Sequence, residues 1–225
     1  ADAAPVNRLL VADRLTVTSA GIRFTARCGN DSADLYPHLV GQFNVSNLLA
    51  VIGTLIASGI TLEDAAMVAE GLTPPQGRMQ TLGGIGEPLV VVDYAHSPDA
   101  LEKALIALRP FATQRGGRLW AVFGCGGNRD TAKRPLMGAI AAENADTVIV
   151  TDDNPRSENP ASIRAAIMAA AKGATDIADR NEAIRAAVAG LQQGDALLIA
   201  GKGHEAGQII GNEILPFNDR DVALQ

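Results

Sequence analysis

The chain has 225 residues, 47% of them hydrophobic, 20% charged and only 4% aromatic. That balance is too apolar for a disordered segment and lacks the repeats of collagen or a coiled coil. Lys and Arg number 19 against 25 Asp and Glu, a net charge of −6, so no basic field exists to displace counterions from a nucleic acid or to hold an anionic membrane surface. No apolar run reaches the roughly 18–20 residues that span a bilayer, and no signal-like pattern opens the chain. The two cysteines, Cys28 and Cys125, lie far apart, which predicts reduced thiols and a soluble, cytoplasmic protein. A start at Ala-Asp-Ala-Ala without Met predicts a piece of something longer.

In chain order, the first third alternates in strand-like pieces at 14–18, 21–27 and 33–40, with Ile22, Phe24 and Ala26 on one face. A helix is predicted over 43–58 from Leu48, Leu49, Ile52, Leu55 and Ile56, ended by Gly59. Thr61 caps a second helix through Asp64, with apolar positions at Ala65, Val68 and Leu72. Leu72-Thr73-Pro74-Pro75-Gln76-Gly77 then breaks the pattern and marks a boundary between 1–76 and 77–225.

Beyond it, four apolar runs at 89–92, 119–123, 147–150 and 196–200 show no polar alternation, as strands buried on both faces do. Helical patterns at 98–108, 135–144, 160–171 and 181–192 separate them, with Pro98, Pro135 and Pro160 suited to first turns. This alternation predicts an α/β, Rossmann-like, doubly wound and mainly parallel sheet, whose ligands gather at the carboxyl ends of its strands.

Each of the four strands runs straight into polar or glycine-rich chemistry: Asp93-Tyr94-Ala95-His96-Ser97-Pro98, Gly124-Cys125-Gly126-Gly127-Asn128-Arg129-Asp130, Asp153-Asn154-Pro155-Arg156, and Gly201-Lys202-Gly203-His204-Glu205. Singly, each motif has a plainer reading. Gly124 to Gly127 is no G-x-G-x-x-G fingerprint and also suits a tight connection, although Arg129 beside it suits a carboxylate or phosphate. Asp153 to Arg156 is either a proline-fixed turn or amino-acid equipment, with a carboxylate and an amide for an ammonium and Arg156 for a carboxylate. Cys125 reads as a small buried thiol, His38 as a surface or edge residue and Trp120 as core. His96 and His204 lack the spacing of a zinc helix, so no protein-held metal is predicted.

In order and over Gly41 to Glu205, these segments, with Gly41-Gln42-Phe43-Asn44-Val45-Ser46-Asn47 and Gly77-Arg78-Met79, resemble the Mur ligases of peptidoglycan synthesis. The resemblance implies an ATP-dependent amide ligase of three domains. Residues 1–76 would be the C-terminal part of its central ATPase domain and 77–225 its amino-acid-binding domain. In that family ATP phosphorylates the terminal carboxylate of UDP-MurNAc-L-Ala-D-Glu, and an incoming amine attacks the acyl phosphate. The resemblance places Arg129, Asp153, Asn154, Pro155, Arg156, Gly201 and Glu205 at the amino acid, and Asn47, Arg78, Asp93, Tyr94 and His96 near ATP. Lys202 and His204 are given only a supporting part.

The family's phosphate loop is not in this sequence: Lys103, Lys133, Lys172 and Lys202 follow no such glycine pattern with Ser or Thr behind them. Nor is the lysine that helps the family hold Mg, or the domain that binds the UDP-sugar. This chain by itself is therefore expected to turn over neither ATP nor amide. Family members that add meso-diaminopimelate carry the D-N-P-R motif, whose Arg pairs with the far carboxylate of that amino acid, so the resemblance implies meso-diaminopimelate as substrate. The competing readings are another Mur ligase or a folylpolyglutamate synthetase with a different amino acid in the pocket, and a non-catalytic nucleotide-binding module.

Overall fold

The computed structural model describes residues 9–83 and 86–225. The chain divides into two compact units, Ala1–Thr73 and Pro74–Gln225. Among the described residues no helix is long and apolar enough to cross a membrane.

The first unit is an antiparallel meander of β1 (Leu10–Thr18), β2 (Gly21–Cys28) and β3 (Asp31–Leu35), with helices α1 (Phe43–Ala57) and α2 (Leu62–Glu70). Ile22, Phe24 and Ala26 are buried as their alternation requires, while Arg23 and Arg27 face outward. β1 starts four residues before the predicted strand because a register shift between Asp13 and Thr16, with Arg14 at φ 55°, hides the alternation. β3 stops at Leu35 instead of continuing to Val40; Pro37 has no N–H to extend the ladder.

α1 ends where expected, with Gly59 at φ 92°. Thr61 caps α2, accepting from the Asp64 N–H at 3.1 Å and donating to the Asp64 carboxylate at 2.8 Å. The buried face of α2 differs from the prediction. Leu62, Ala65, Ala66 and Ala69 are buried, whereas Val68 and Leu72 are exposed. Small alanines let the helix lie close on β3, and this overrides the larger side chains as the inward stripe.

The second unit is built on a six-stranded sheet of order β4-β5-β9-β6-β7-β8. Its strands are β4 (Gln80–Leu82), β5 (Leu89–Asp93), β6 (Leu119–Phe123), β7 (Thr147–Val150), β8 (Thr175–Asp176) and β9 (Ala196–Ala200). All are parallel except the edge strand β4. Between them run α3 (Pro98–Gln114), α4 (Lys133–Asn144), α5 (Pro160–Met168) and α6 (Arg180–Gly190). A hairpin of β10 (Gly207–Ile210) and β11 (Glu213–Pro216) and a short α7 (Asp219–Ala223) close the chain.

Right-handed crossovers in one direction, β5 to β6 to β7 to β8, put α3, α4 and α5 on one face, and the return to β9 puts α6 on the other. Val90, Val92, Val122, Ile149, Leu197 and Ile199 accordingly pack with Ala183, Ile184 and Ala187 of α6 and Val222 of α7. The alternate strand residues, including Val91, Phe123, Val150 and Leu198, are buried on the opposite face. This is the predicted doubly wound sheet.

α3 outruns its predicted end by six residues, passing through Pro110. The carbonyl that loses its donor is that of Ile106, an exposed residue, and Phe111 and Ala112 are buried beyond. α5 ends three residues early, at Met168, and α4 starts two residues before Pro135.

Candidate functional site

The strand order brings the four polar loops together, because β5, β9, β6 and β7 are consecutive neighbours. Their carboxyl ends enclose a cavity of about 210 Å³ lined by Tyr94, His96, Gly124, Gly126, Arg129, Lys133, Asp153, Asn154, Arg156, Gly201 and Glu205. It is smaller than the roughly 300–1,000 Å³ of pockets for drug-sized ligands, so it suits a single amino acid.

The loop after β7 makes the wall. Asp153 and Asn154 are buried. Asp153 Oδ1 accepts from the Asn154 N–H at 2.6 Å, while its Oδ2 takes no donor among the described residues and lies against Gly201. Gly201 is at φ 114°, and a Cβ there would stand 2.6 Å from that oxygen. Any side chain at 201 would therefore be strained and would displace the carboxylate.

Arg156, at φ 53°, donates through Nη1 to the Gly127 carbonyl at 2.9 Å and, at 3.4 Å, to the Asn154 carbonyl. Its Nε and Nη2 take no acceptor among the described residues. One corner of the guanidinium is thus fixed to the backbone, and the edge that grips a carboxylate with two N–H groups is left for a ligand. The left-handed turn is held from outside by β10 and the residue after it: the Arg156 N–H donates to the Ile209 carbonyl at 3.0 Å, and the Gly211 N–H to the Arg156 carbonyl at 2.7 Å. Gln208 Nε2 donates to the Asp153 carbonyl at 2.7 Å.

Asn154 differs from its expected part. Its amide oxygen accepts from Lys202 Nζ at 2.9 Å and from the Ile209 N–H at 2.9 Å, so both lone pairs are used. Its Nδ2 donates to Glu205 Oε2 at 2.8 Å. The side chain braces the wall; Asp153 Oδ2 and Glu205 are the acceptors left for an ammonium. Burial raises the pKa of Glu205, but the Asn154 and Lys202 donors and the charges of Lys202 and Arg156 outweigh it and hold the carboxyl below its usual range. Pro155 is buried and does not line the cavity. Its carbonyl accepts from the Glu158 N–H at 3.1 Å and presses on Gly127, where a Cβ would be 2.0 Å from it.

Arg129 is exposed at the mouth, donating to the Asn128 carbonyl at 3.2 Å. Lys133 Nζ donates to the His96 carbonyl at 2.6 Å. Around the loop after β5, Tyr94 gathers His96 at 4.6 Å and His204 at 5.4 Å between ring centroids, with the Arg78 guanidinium 4.6 Å above its ring. Asp93 stands apart from the cavity lining, its two oxygens accepting from the Met79 and Ala95 N–H groups, each at 2.8 Å. Asn47 belongs to the first unit, on α1, where it donates to Asn44 Oδ1 at 3.0 Å.

Sequence reasoning gave Lys202 and His204 supporting parts and passed over Lys133 and the hairpin. Lys202 sits inside a quoted motif, between two glycines; the hairpin carries no comparable signal.

Cys125 is buried, with Sγ 3.6 Å from Met137 Sδ, and burial pushes its thiol up to about 11. A thiolate is the reactive form, so peptide mapping after N-ethylmaleimide treatment of the native protein near neutral pH is expected to find Cys125 unmodified, and modified only after denaturation. Rapid native labelling would contradict this reading.

Residues 77–203 match the model of the Mur ligase, glutamate ligase domain. The chain is 53% identical over 209 residues to the UDP-N-acetylmuramoyl-L-alanyl-D-glutamate–2,6-diaminopimelate ligase of Bradyrhizobium diazoefficiens, covering 93% of this chain and 41% of that protein. It is 53% identical over 192 residues to the ligase of the same name from Rhizobium meliloti, covering 85% and 39%. A solved structure of a ligase of this name superposes with a TM-score of 0.73 at 38% identity, over 96% of this chain and 44% of that one. The chain thus spans about two fifths of the length of the curated relatives it matches. Since the matched segment runs from Gly77, which packs against the Gly203–His204 backbone, to Gly203, which packs against Tyr94, and so takes in the loops after β5, β6 and β7, the chain belongs to the Mur ligase family.

Proposed function

We propose that the second unit seats the amine-donating amino acid of an ATP-dependent amide ligase, and that this amino acid is meso-diaminopimelate. The observation that carries the reading is the Nε/Nη2 edge of Arg156, which has no acceptor among the described residues, in one small cavity with Asp153 Oδ2 and Glu205. An amino acid with a carboxylate at each end pairs one with Arg156 and leaves the other for Arg129 and Lys133, while an ammonium meets Asp153 and Glu205. Lysine would leave Arg156 facing an ammonium or nothing. The names of the curated relatives, 2,6-diaminopimelate ligases, support the same choice.

The chain would then be the C-terminal portion of a longer ligase. Residues 1–76 would complete a central ATPase domain, residues 77–225 would form the amino-acid domain, and UDP-MurNAc-L-Ala-D-Glu would be held by a further domain. Arg78, Tyr94 and His96 are the residues we assign to ATP; the rings of Tyr94 and His96 and the Arg78 charge suit a base or a phosphate. ATP, when bound, supplies the phosphoryl group that activates the acceptor carboxylate. The work of this chain is to hold the amino acid by its charges so that the amine meets that carbonyl in a fixed orientation. Among the described residues no group of three His, Cys, Asp or Glu could hold a metal, and no step is assigned to Mg, which at phosphate sites is held largely by the phosphates and water. Two free, buried cysteines support a cytoplasmic setting.

Calorimetric titration of the chain with meso-diaminopimelate, L-lysine and ATP in turn tests the reading. Saturable binding of meso-diaminopimelate, with lysine much weaker, is expected. Equal affinity for the two amino acids would remove Arg156 from the argument, and binding of ATP alone would favour a nucleotide-binding module.

A further inference from the structure

Lys202 is fully buried, in contrast to Lys103, Lys133 and Lys172. An ammonium removed from water is costly unless it is paired, and Lys202 has two partners in a closed triangle. Nζ donates to Asn154 Oδ1 at 2.9 Å and to Glu205 Oε2 at 3.0 Å, and Asn154 Nδ2 donates to the same Glu205 oxygen at 2.8 Å.

Two consequences follow from the donor inventory. The Asn154 amide has a single orientation, because its oxygen faces two donors, Lys202 and the Ile209 N–H, and a flipped amide would set N–H against N–H. With Oε2 gripped by two donors, the other oxygen of Glu205 takes no donor among the described residues and is the one left for a ligand. Asn154 also reaches the other half of the site, since its main-chain carbonyl accepts from the Gly127 N–H at 2.9 Å and from Arg156 Nη1 at 3.4 Å.

We propose that Lys202 is a positioning residue for the amino-acid substrate, the buried strut that sets Glu205 and, through Asn154, the Arg156 turn in register with each other. It touches no substrate. This rests on the amino-acid reading of the cavity given above, and it adds a residue whose charge acts only through its neighbours.

The test uses the complete ligase that carries this chain, with steady-state kinetics and a thermal melt for each variant. Lys202→Met is expected to raise KM for meso-diaminopimelate about 10- to 100-fold, the scale of losing hydrogen bonds to a charged group, with kcat and KM for ATP close to the unmutated values. Lys202→Arg keeps a cation and its donors, and is expected to restore most of that KM. A purely structural lysine would lower the melting temperature and the active fraction and leave both KM values alone. A folded Lys202→Met ligase with an unchanged KM for the amino acid would overturn the proposal. If Lys202→Met does not fold, Lys202→Arg decides: a near-native KM supports the strut, and a loss as large as that expected for Met overturns it. An unmutated ligase that shows no saturation with meso-diaminopimelate would instead overturn the amino-acid reading itself, so the two failures are distinguishable.

Discussion

Replacing Asp219 with alanine is expected to destabilise the second unit by about 3–5 kcal/mol, the scale for stranding a buried charge. Arg180, at the start of α6, and Asp219, at the start of α7, are both fully buried. Their side chains meet in a two-point pair, Nε to Oδ1 at 2.7 Å and Nη2 to Oδ2 at 2.8 Å, and Nη2 also donates to the Ala200 carbonyl at the end of β9 at 2.9 Å. Burial works against the guanidinium's charge, but Asp219 outweighs it and keeps the group more firmly protonated than usual. Without that carboxylate the charge is left in the core. Urea titration followed by the fluorescence of Trp120, the single tryptophan, reports the second unit. A loss below about 1 kcal/mol would contradict the argument, since that is the scale of exposed pairs. The double replacement Arg180→Met with Asp219→Leu is expected to recover much of the loss, because it removes both charges and keeps the volume.

Arg156→Ala in the complete ligase carries the largest expected effect on substrate use. On the reading proposed above it removes the partner of the distal carboxylate and leaves that charge partly desolvated, a loss of roughly 2–5 kcal/mol, or about 30-fold or more in KM for meso-diaminopimelate. KM for ATP is expected to change far less. Arg156→Lys should rescue little, because an ammonium cannot supply the two parallel N–H groups of the free edge. Nη1 is already committed to the Gly127 and Asn154 carbonyls, so a lysine would also have to replace that anchorage. Lysine as substrate has no distal carboxylate and should suffer less from Arg156→Ala. An unchanged preference for meso-diaminopimelate over lysine in the variant would show that Arg156 does not read the distal end.

How much of this was legible in the sequence follows from what each element leaves in it. Strands such as Leu119–Phe123 and Ala196–Ala200 are buried on both faces, so they read as uninterrupted apolar runs, and three of the four strands predicted from such runs match to the residue. The fourth, β5, is longer by Asp93, whose carboxylate is taken up by two backbone N–H groups. β4, β8 and the β10–β11 hairpin are short and only partly buried or exposed, so no alternation marks them. The side chains at the cavity were legible as residue types at strand ends. Their division of labour was not: Asn154 has the same chemistry whether its oxygen faces a ligand or Lys202, and only the three-dimensional placement of Lys202 and the Ile209 N–H decides.

The position of β9 in the sheet bears on how the second unit is made. Residues 196–200 supply the strand between β5 and β6, and Leu89 pairs with Ala196, a separation of 196 − 89 = 107 residues. During synthesis β5 emerges with only β4 beside it, and β6 has an open edge until nearly the whole unit has left the ribosome. Pairings of such sequence separation are slow to close, because the loop entropy is lost before the contacts form. Through that interval the Val-rich edge of β5 and the apolar edge of β6 are templates for strands of other chains, so the nascent chain is most exposed to aggregation just before its last central strand arrives.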